Sequence, residues 1–350
     1  MIMNNSLFKQ KIKALFYFLL FYSGILHLCL MVFKKVKKEH SAAILVYHRV
    51  VDDNTNEFLY KGAAIHHHIK DFKREILFIS KWFKIISMDD LISNIKNKKN
   101  FSAPSIAITF DDGYRDNYTL AYPVLRQFGL AATIYLVTGL LGTYKRTWLD
   151  EIEYALLNTN ANCLTFPRLF EDEVLNISSL EEKLNANKKI GEALKRIDNK
   201  KKWELICELY NRLGVNRDSI TNQNRRMLNW EEIKEMSENN ISFGAHTHSH
   251  PILTQMSIEE AKQEITTSKK IIENELHIST DHFAFPNGTS IDFNEELRQF
   301  CIDIGFKSVT TVEYGTNDMK SDPYSLKRDP PYTPLHMFAT EIVRLFWKKY

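Results

Sequence analysis

Two short apolar runs in this chain each end abruptly in ionisable side chains, and no other feature constrains the fold as tightly. Ser105-Ile106-Ala107-Ile108-Thr109-Phe110 reads as a buried strand, and Asp111-Asp112-Gly113 follows at once. Well over a hundred residues later, strand-like 241–244 runs into Ala245-His246-Thr247-His248-Ser249-His250-Pro251. Adjacent carboxylates at a strand end are costly to keep ionised together unless a cation or separate tasks divide them. His246 and His250, joined by one carboxylate, make a three-ligand set for a divalent ion such as zinc. That set leaves the remaining coordination positions to water and substrate.

Around these motifs, strand-like and helix-like segments alternate. Strands are expected at 42–47, 84–86, 131–136, 282–285 and 307–310. Helices are expected from Ile69 to Phe83, from Met88 with Ser87 as its cap, and over 120–128, 230–238, 258–276 and 294–304. Repeated βα units give an α/β fold with a parallel sheet, open or closed. Both ionisable clusters fall at C-terminal strand ends, where a (β/α) barrel gathers its site. No G-x-G-x-x-G opens a helix, which disfavours a dinucleotide-binding sheet.

The stretch 148–227, rich in Lys, Glu, Leu and Asn, reads as a helical insert. It is either a solvated excursion on the barrel's side or a lid at its mouth, with the part around Trp148 and Asp150 nearest the site. Four scattered cysteines, without a C-x-x-C pair, argue against a disulfide framework or structural zinc. A net charge of +3 gives no reason to expect a nucleic-acid partner.

Residues 1–38 read as a membrane-anchor segment and 42–350 as the barrel domain. Residues 14–33 are apolar apart from Ser23, Gly24 and His27, a length that spans a hydrocarbon core as one helix. With no small-x-small site at its end, an uncleaved single span in a bacterial inner (cell) membrane is expected. The alternative is an amphipathic helix lying in the interface. Lysines on both flanks (Lys9, Lys11 and Lys13; Lys34, Lys35, Lys37 and Lys38) leave its orientation open.

Thr109-Phe110-Asp111-Asp112-Gly113, taken with His246, Thr247 and His250, resembles the two leading motifs of the polysaccharide deacetylase family, which shares the chitooligosaccharide deacetylase homology domain. The resemblance runs from about residue 44 to about 329, interrupted by the insert. It implies a distorted barrel of about seven strands that removes N-acetyl groups from amino sugars of a bacterial surface glycan or its precursor. By motif position, Asp112, His246 and His250 would hold the metal, most simply zinc, although other first-row ions suit the same donors. Asp111 would be the general base, and the Tyr114 backbone N–H would help stabilise the oxyanion. His248 is given a supporting role.

Val46-Tyr47-His48-Arg49-Val50 resembles the rearranged branch of the family, which includes biofilm poly-N-acetylglucosamine deacetylases. There the strand bearing the acid histidine comes first. This makes His48 the catalytic acid in preference to the late His336. Phe283-Ala284-Phe285-Pro286-Asn287-Gly288 lacks the arginine of the family's R-x-P-Y motif and resembles the F-A-Y-P-x-G form. Pro286, Asn287 and Trp148 are expected at the substrate. Arg328 either replaces the missing cation or forms a surface salt bridge. The family's Asp-x-x-Asp-Trp motif is not recognisable. His66-His67-His68 reads as a solvated helix entry, and 335–350 as a terminal amphipathic helix. Two rival readings are an amidohydrolase of non-sugar amides and a catalytically silent glycan-binding protein.

Overall fold

A computed structural model describes residues 2–36, 39–53, 65–217 and 226–347. In chain order its strands are β1 (Ala42–Tyr47), β2 (Arg49–Val51), β3 (His66–His68), β4 (Lys84–Ile85), β5 (Ser105–Phe110), β6 (Ala132–Leu136), β7 (Cys163–Thr165), β8 (Val174–Asn176), β9 (Ile241–Ala245), β10 (His282–Ala284) and β11 (Ser308–Thr310). The helices are α1 (Ile2–Tyr22), α2 (Ile25–Val36), α3 (Ile69–Trp82), α4 (Met88–Lys96), α5 (Tyr122–Gln127), α6 (Trp148–Leu157), α7 (Pro167–Phe170), α8 (Leu180–Leu194), α9 (Asn199–Leu213), α10 (Trp230–Ser237), α11 (Ile258–Leu276), α12 (Glu295–Asp303) and α13 (Leu335–Trp347).

Seven strands form one parallel sheet in the order β1-β5-β6-β9-β10-β11, with β4 also paired to β5. β1, β5 and β6 are buried at every position, which is why they read as unbroken apolar runs. The sheet curls, and residues 326–329 bridge its two edges. Thr311 N–H donates to Leu326 O on the β11 side, and Asp329 N–H donates to Ile44 O on the β1 side. Arg328 lies within this bridging segment. Capping boxes start α4, α10 and α11, each pairing its cap residue with the acid three positions on.

The insert is more than a solvated excursion. α6, α8, α9 and the antiparallel β7–β8 hairpin enclose a core of their own, including Ile152, Phe166, Ile190, Leu205 and Leu209.

Two expectations need correction. Residues 14–33 are not one helix: α1 and α2 meet at Ser23-Gly24, where Gly24 takes φ +80° and the pair bends by 72°. Among the described residues, no single helix is long and apolar enough to cross a membrane. α1 instead packs on α13, where Tyr17 Oη donates to Glu341 at 3.1 Å and Lys13 pairs with the same carboxylate. Of the flanking lysines, Lys37 and Lys38 lie outside the described residues, as do residues 348–350.

The histidine triplet is not solvated either. It forms β3, parallel to β2, with His66 and His67 buried. His67 Nε2 meets Glu75 Oε2 at 2.9 Å, and Tyr47 Oη donates to the same oxygen at 3.0 Å. Glu75 comes eight residues later, one helix into the next unit, so local spacing gave no sign of it. Only His68 keeps the expected place, as the cap of α3.

Candidate active site

β5 delivers Asp111 and Asp112 by stopping short. Asp111 N–H still donates to Tyr47 O at 2.9 Å, but Asp112 and Gly113 then turn into the left-handed region at φ +73° and +79°. Asp tolerates that region better than most residues, and glycine adopts it freely. A Cβ on Gly113 would also come within 2.9 Å of the Leu136 side chain. The second cluster leaves β9 through a comparable turn, with Thr247 at φ +69° and His250 at +61°. Glu264 of α11 clamps this loop, accepting the His248 and Ser249 N–H groups at 2.8 and 2.7 Å.

These turns bring Asp112, His246 and His250 together. Their donor atoms lie within 4.8 Å of one another, and all three residues are buried. His250 Nε2 and His246 Nε2 stand 3.2 and 3.6 Å from Asp112 Oδ1. His246 Nδ1 is held by Ala284 O at 2.7 Å, which turns Nε2 toward Asp112. Asp112 Oδ1 is buried without a hydrogen-bond partner. One carboxylate oxygen and two imidazole nitrogens converging on a common point fit a divalent cation.

Burial raises the Asp112 carboxyl, and the charges of Asp111 and Asp150 add to that against His48 and His246. Burial, against the pull of Asp111, lowers both His246 and His250 to about 4, which leaves the rings neutral as ligation requires.

Asp111 has a different partner. Arg328 Nη1 and Nη2 donate to its two oxygens at 2.7 and 2.8 Å, while Arg328 Nε donates to Thr311 O at 2.9 Å. Arg328 is 0% exposed and Asp111 3% exposed, so this is no surface salt bridge. Burial alone would raise Asp111, but Arg328, with His246 and His48, holds it well below the usual carboxylate range. The two neighbouring aspartates are thus driven apart in acidity by their surroundings.

His48, between β1 and β2, lines the same cavity of about 280 Å³ as Asp111, Asp112, Tyr114, His246 and His250. Its Nδ1 is buried without a hydrogen-bond partner. Asn287, at φ +62°, also lines the cavity, and its side chain is tied to Asp292 at 2.7 Å.

Other expected residues lie elsewhere. Pro286 is buried beside the cavity without lining it. Trp148 is buried in the insert core under the Lys202 ammonium, and its neighbours Thr147, Leu149 and Asp150 face the site instead. His248 is turned away by the loop, so that its Nδ1 meets Thr138 Oγ1 at 3.1 Å and its ring covers Gly139. His336 sits on α13 against Phe18.

The sequence reading missed a supporting network. Tyr114 Oη and Arg226 Nη1 both donate to Asp150, at 3.0 and 3.1 Å. Arg49 pairs with Asp116 at 2.7 Å and lies over the Tyr114 ring. Arg49 sat within the quoted Y-H-R-V string, but no spacing links it to Asp116, or Asp150 to Arg226.

A family model for polysaccharide deacetylase matches residues 98–309. The Bacillus subtilis protein YxkH is 22% identical over 299 residues, covering 84% of this chain and 72% of YxkH. A Staphylococcus aureus poly-beta-1,6-N-acetyl-D-glucosamine N-deacetylase is 34% identical over 129 residues, covering 34% of this chain and 44% of that protein. Streptococcus pyogenes deacetylase PplD, solved in complex with acetate, superposes with a TM-score of 0.58 at 18% identity, over 89% of this chain and 100% of PplD. At that identity the superposition shows a shared fold. The chain belongs to the polysaccharide deacetylase family. It is a carbohydrate deacetylase, a hydrolase of carbon–nitrogen bonds.

Proposed function

We propose that the chain removes N-acetyl groups from amino sugars of a bacterial surface polysaccharide or its precursor, with a divalent metal, most simply zinc, held by Asp112, His246 and His250. The observation that carries this reading is the division of labour between adjacent aspartates: Asp112 faces two imidazoles, and Asp111 faces Arg328. A cation bound there would polarise the acetamide carbonyl and make water acidic enough to attack at neutral pH. Asp111, kept ionised and oriented by Arg328, accepts the proton of the attacking water. The Tyr114 backbone N–H stabilises the oxyanion. His48, across the cavity, donates a proton to the departing amine, and the acetyl C–N bond breaks.

Acetate release from a panel of acetylated glycans, with and without chelator and with Asp111→Asn as control, tests this. Release that chelator leaves untouched would refute the metal, and activity confined to unrelated amides would refute the substrate.

The outer face of α1 and α2, which exposes Leu15, Leu19, Ile25, Leu28 and Val32 beside Lys9, Lys11 and Lys35, supports attachment to the membrane interface rather than a span. Extraction from membranes by alkaline carbonate is expected, and resistance to it would restore the span.

A further inference from the structure

The insert builds one wall of the reaction cavity with residues that take no part in the chemistry. Leu149, Asp150 and Glu153 come from α6, Asn187 from α8, and Lys195 from the turn just beyond it. The rest of the lining includes His48 and His66 from the β1–β3 side and Asn287 and Val312 from the β10–β11 side. This wall is fixed in place. The insert has its own core, and α6 is pinned to the barrel where Asp150 accepts from Tyr114 and Arg226.

The cavity is partly open to solvent, and its volume of about 280 Å³ falls just below the range for pockets that bury drug-sized ligands. One sugar ring with its acetamido group fills such a space, and a run of several rings does not. The wall also carries polar groups suited to a sugar. Asn187 Oδ1 is buried with no hydrogen-bond partner, an acceptor in need of a donor. Lys195 Nζ is tied to Glu192 at 2.9 Å, which leaves further donor positions on the ammonium.

Resting on the deacetylase reading above, we infer that the insert makes this cavity a pocket for a single, terminal N-acetylated sugar residue. Asn187 accepts a hydrogen bond from a ring hydroxyl, and Lys195 donates to an oxygen on the same ring. The residue can belong to the end of a glycan chain or to a short glycoside, and the enzyme deacetylates ends in preference to internal positions.

The experiment uses the full chain and a reducing-end-labelled N-acetylglucosamine pentasaccharide, alongside a monosaccharide glycoside, with products located by tandem mass spectrometry. Acetyl loss should favour one terminal residue by at least about tenfold, and the monosaccharide glycoside should be turned over. Asn187→Ala should raise KM about 5–10-fold, the loss of one hydrogen bond, with kcat falling far less. Asn187→Asp keeps the acceptor oxygen and should recover most of that KM, which a general packing defect would not. Loss of acetyl groups at similar rates along the whole chain, or an unchanged KM in Asn187→Ala, overturns the pocket assignment and leaves the deacetylase reading standing. No acetate from either substrate, or from any acetylated sugar, overturns both.

Discussion

Replacing Arg328 with Met tests the central electrostatic claim directly. The wild-type guanidinium makes two charge-assisted bonds to Asp111 and one to Thr311 O, all buried. Methionine fills comparable space with no charge, which strands the carboxylate. Removing one partner of a buried ion pair costs about 3–5 kcal/mol, because the remaining charge is left desolvated and unpaired. For 350 residues, an unfolding entropy of about 2.1 cal/mol/K per residue turns that into a Tm drop of about 4–7 °C.

The deficit should narrow in acid. Without Arg328, burial dominates and raises the Asp111 carboxyl, so its protonation as pH falls toward about 4 relieves the stranded charge, and below that the wild type loses its own Asp111–Arg328 stabilisation. A second substitution, Asp111→Asn, should return more than half of the lost stability in the Arg328→Met background, since it removes that charge. On the activity side, the acidic limb of kcat/KM should move to higher pH. Urea or thermal unfolding of wild type, both single variants and the double variant closes the cycle. Additive effects, or Arg328→Met within about 1 kcal/mol of wild type, would refute the reasoning.

Four further outcomes follow from the same geometry. His48→Ala should lower kcat by about 10²–10⁴-fold with metal content unchanged, and wild-type turnover would remove His48 from the mechanism. Asp112→Asn should reduce bound divalent metal well below one equivalent by elemental analysis, while Arg328→Met should retain it. In chelator, the contribution of His246 and His250 to stability should fall as pH drops from about 6.5 to about 4 and then level off, because the unfolded chain takes up protons that these buried rings refuse. His250→Gln should flatten that slope by up to about 3 kcal/mol, and parallel curves would contradict the assignment. Burial lowers Lys202 to about 8, so wild type should gain on Lys202→Met between about pH 8 and 10.5, where only the unfolded lysine still binds its proton. A pH-independent difference between the two would rule this out.

Features that depend only on neighbours along the chain could be read from residue order alone. The apolar runs 42–47 and 105–110, the cap at Ser87, and the helix 258–276 all appear where periodicity and local hydrogen bonding put them. Asp111, Asp112, His246 and His250 were legible for the same reason: each pair sits within a few residues at the end of a strand. The closure of the sheet decided the rest. Arg328 could have been a surface charge until residues 326–329 bonded to both edge strands and carried its guanidinium inward to Asp111. His248 follows the same alternation as its neighbours, yet positive φ at Thr247 and His250 turned it away toward Thr138. Glu75, Asp116, Asp150 and Arg226 found their partners across the fold, where burial makes an unpaired charge too costly to leave alone and no periodicity in the chain records the pairing. The N-terminal segment has the composition of a span, but whether it forms one helix or two was decided at Ser23-Gly24, where the chain bends by 72°.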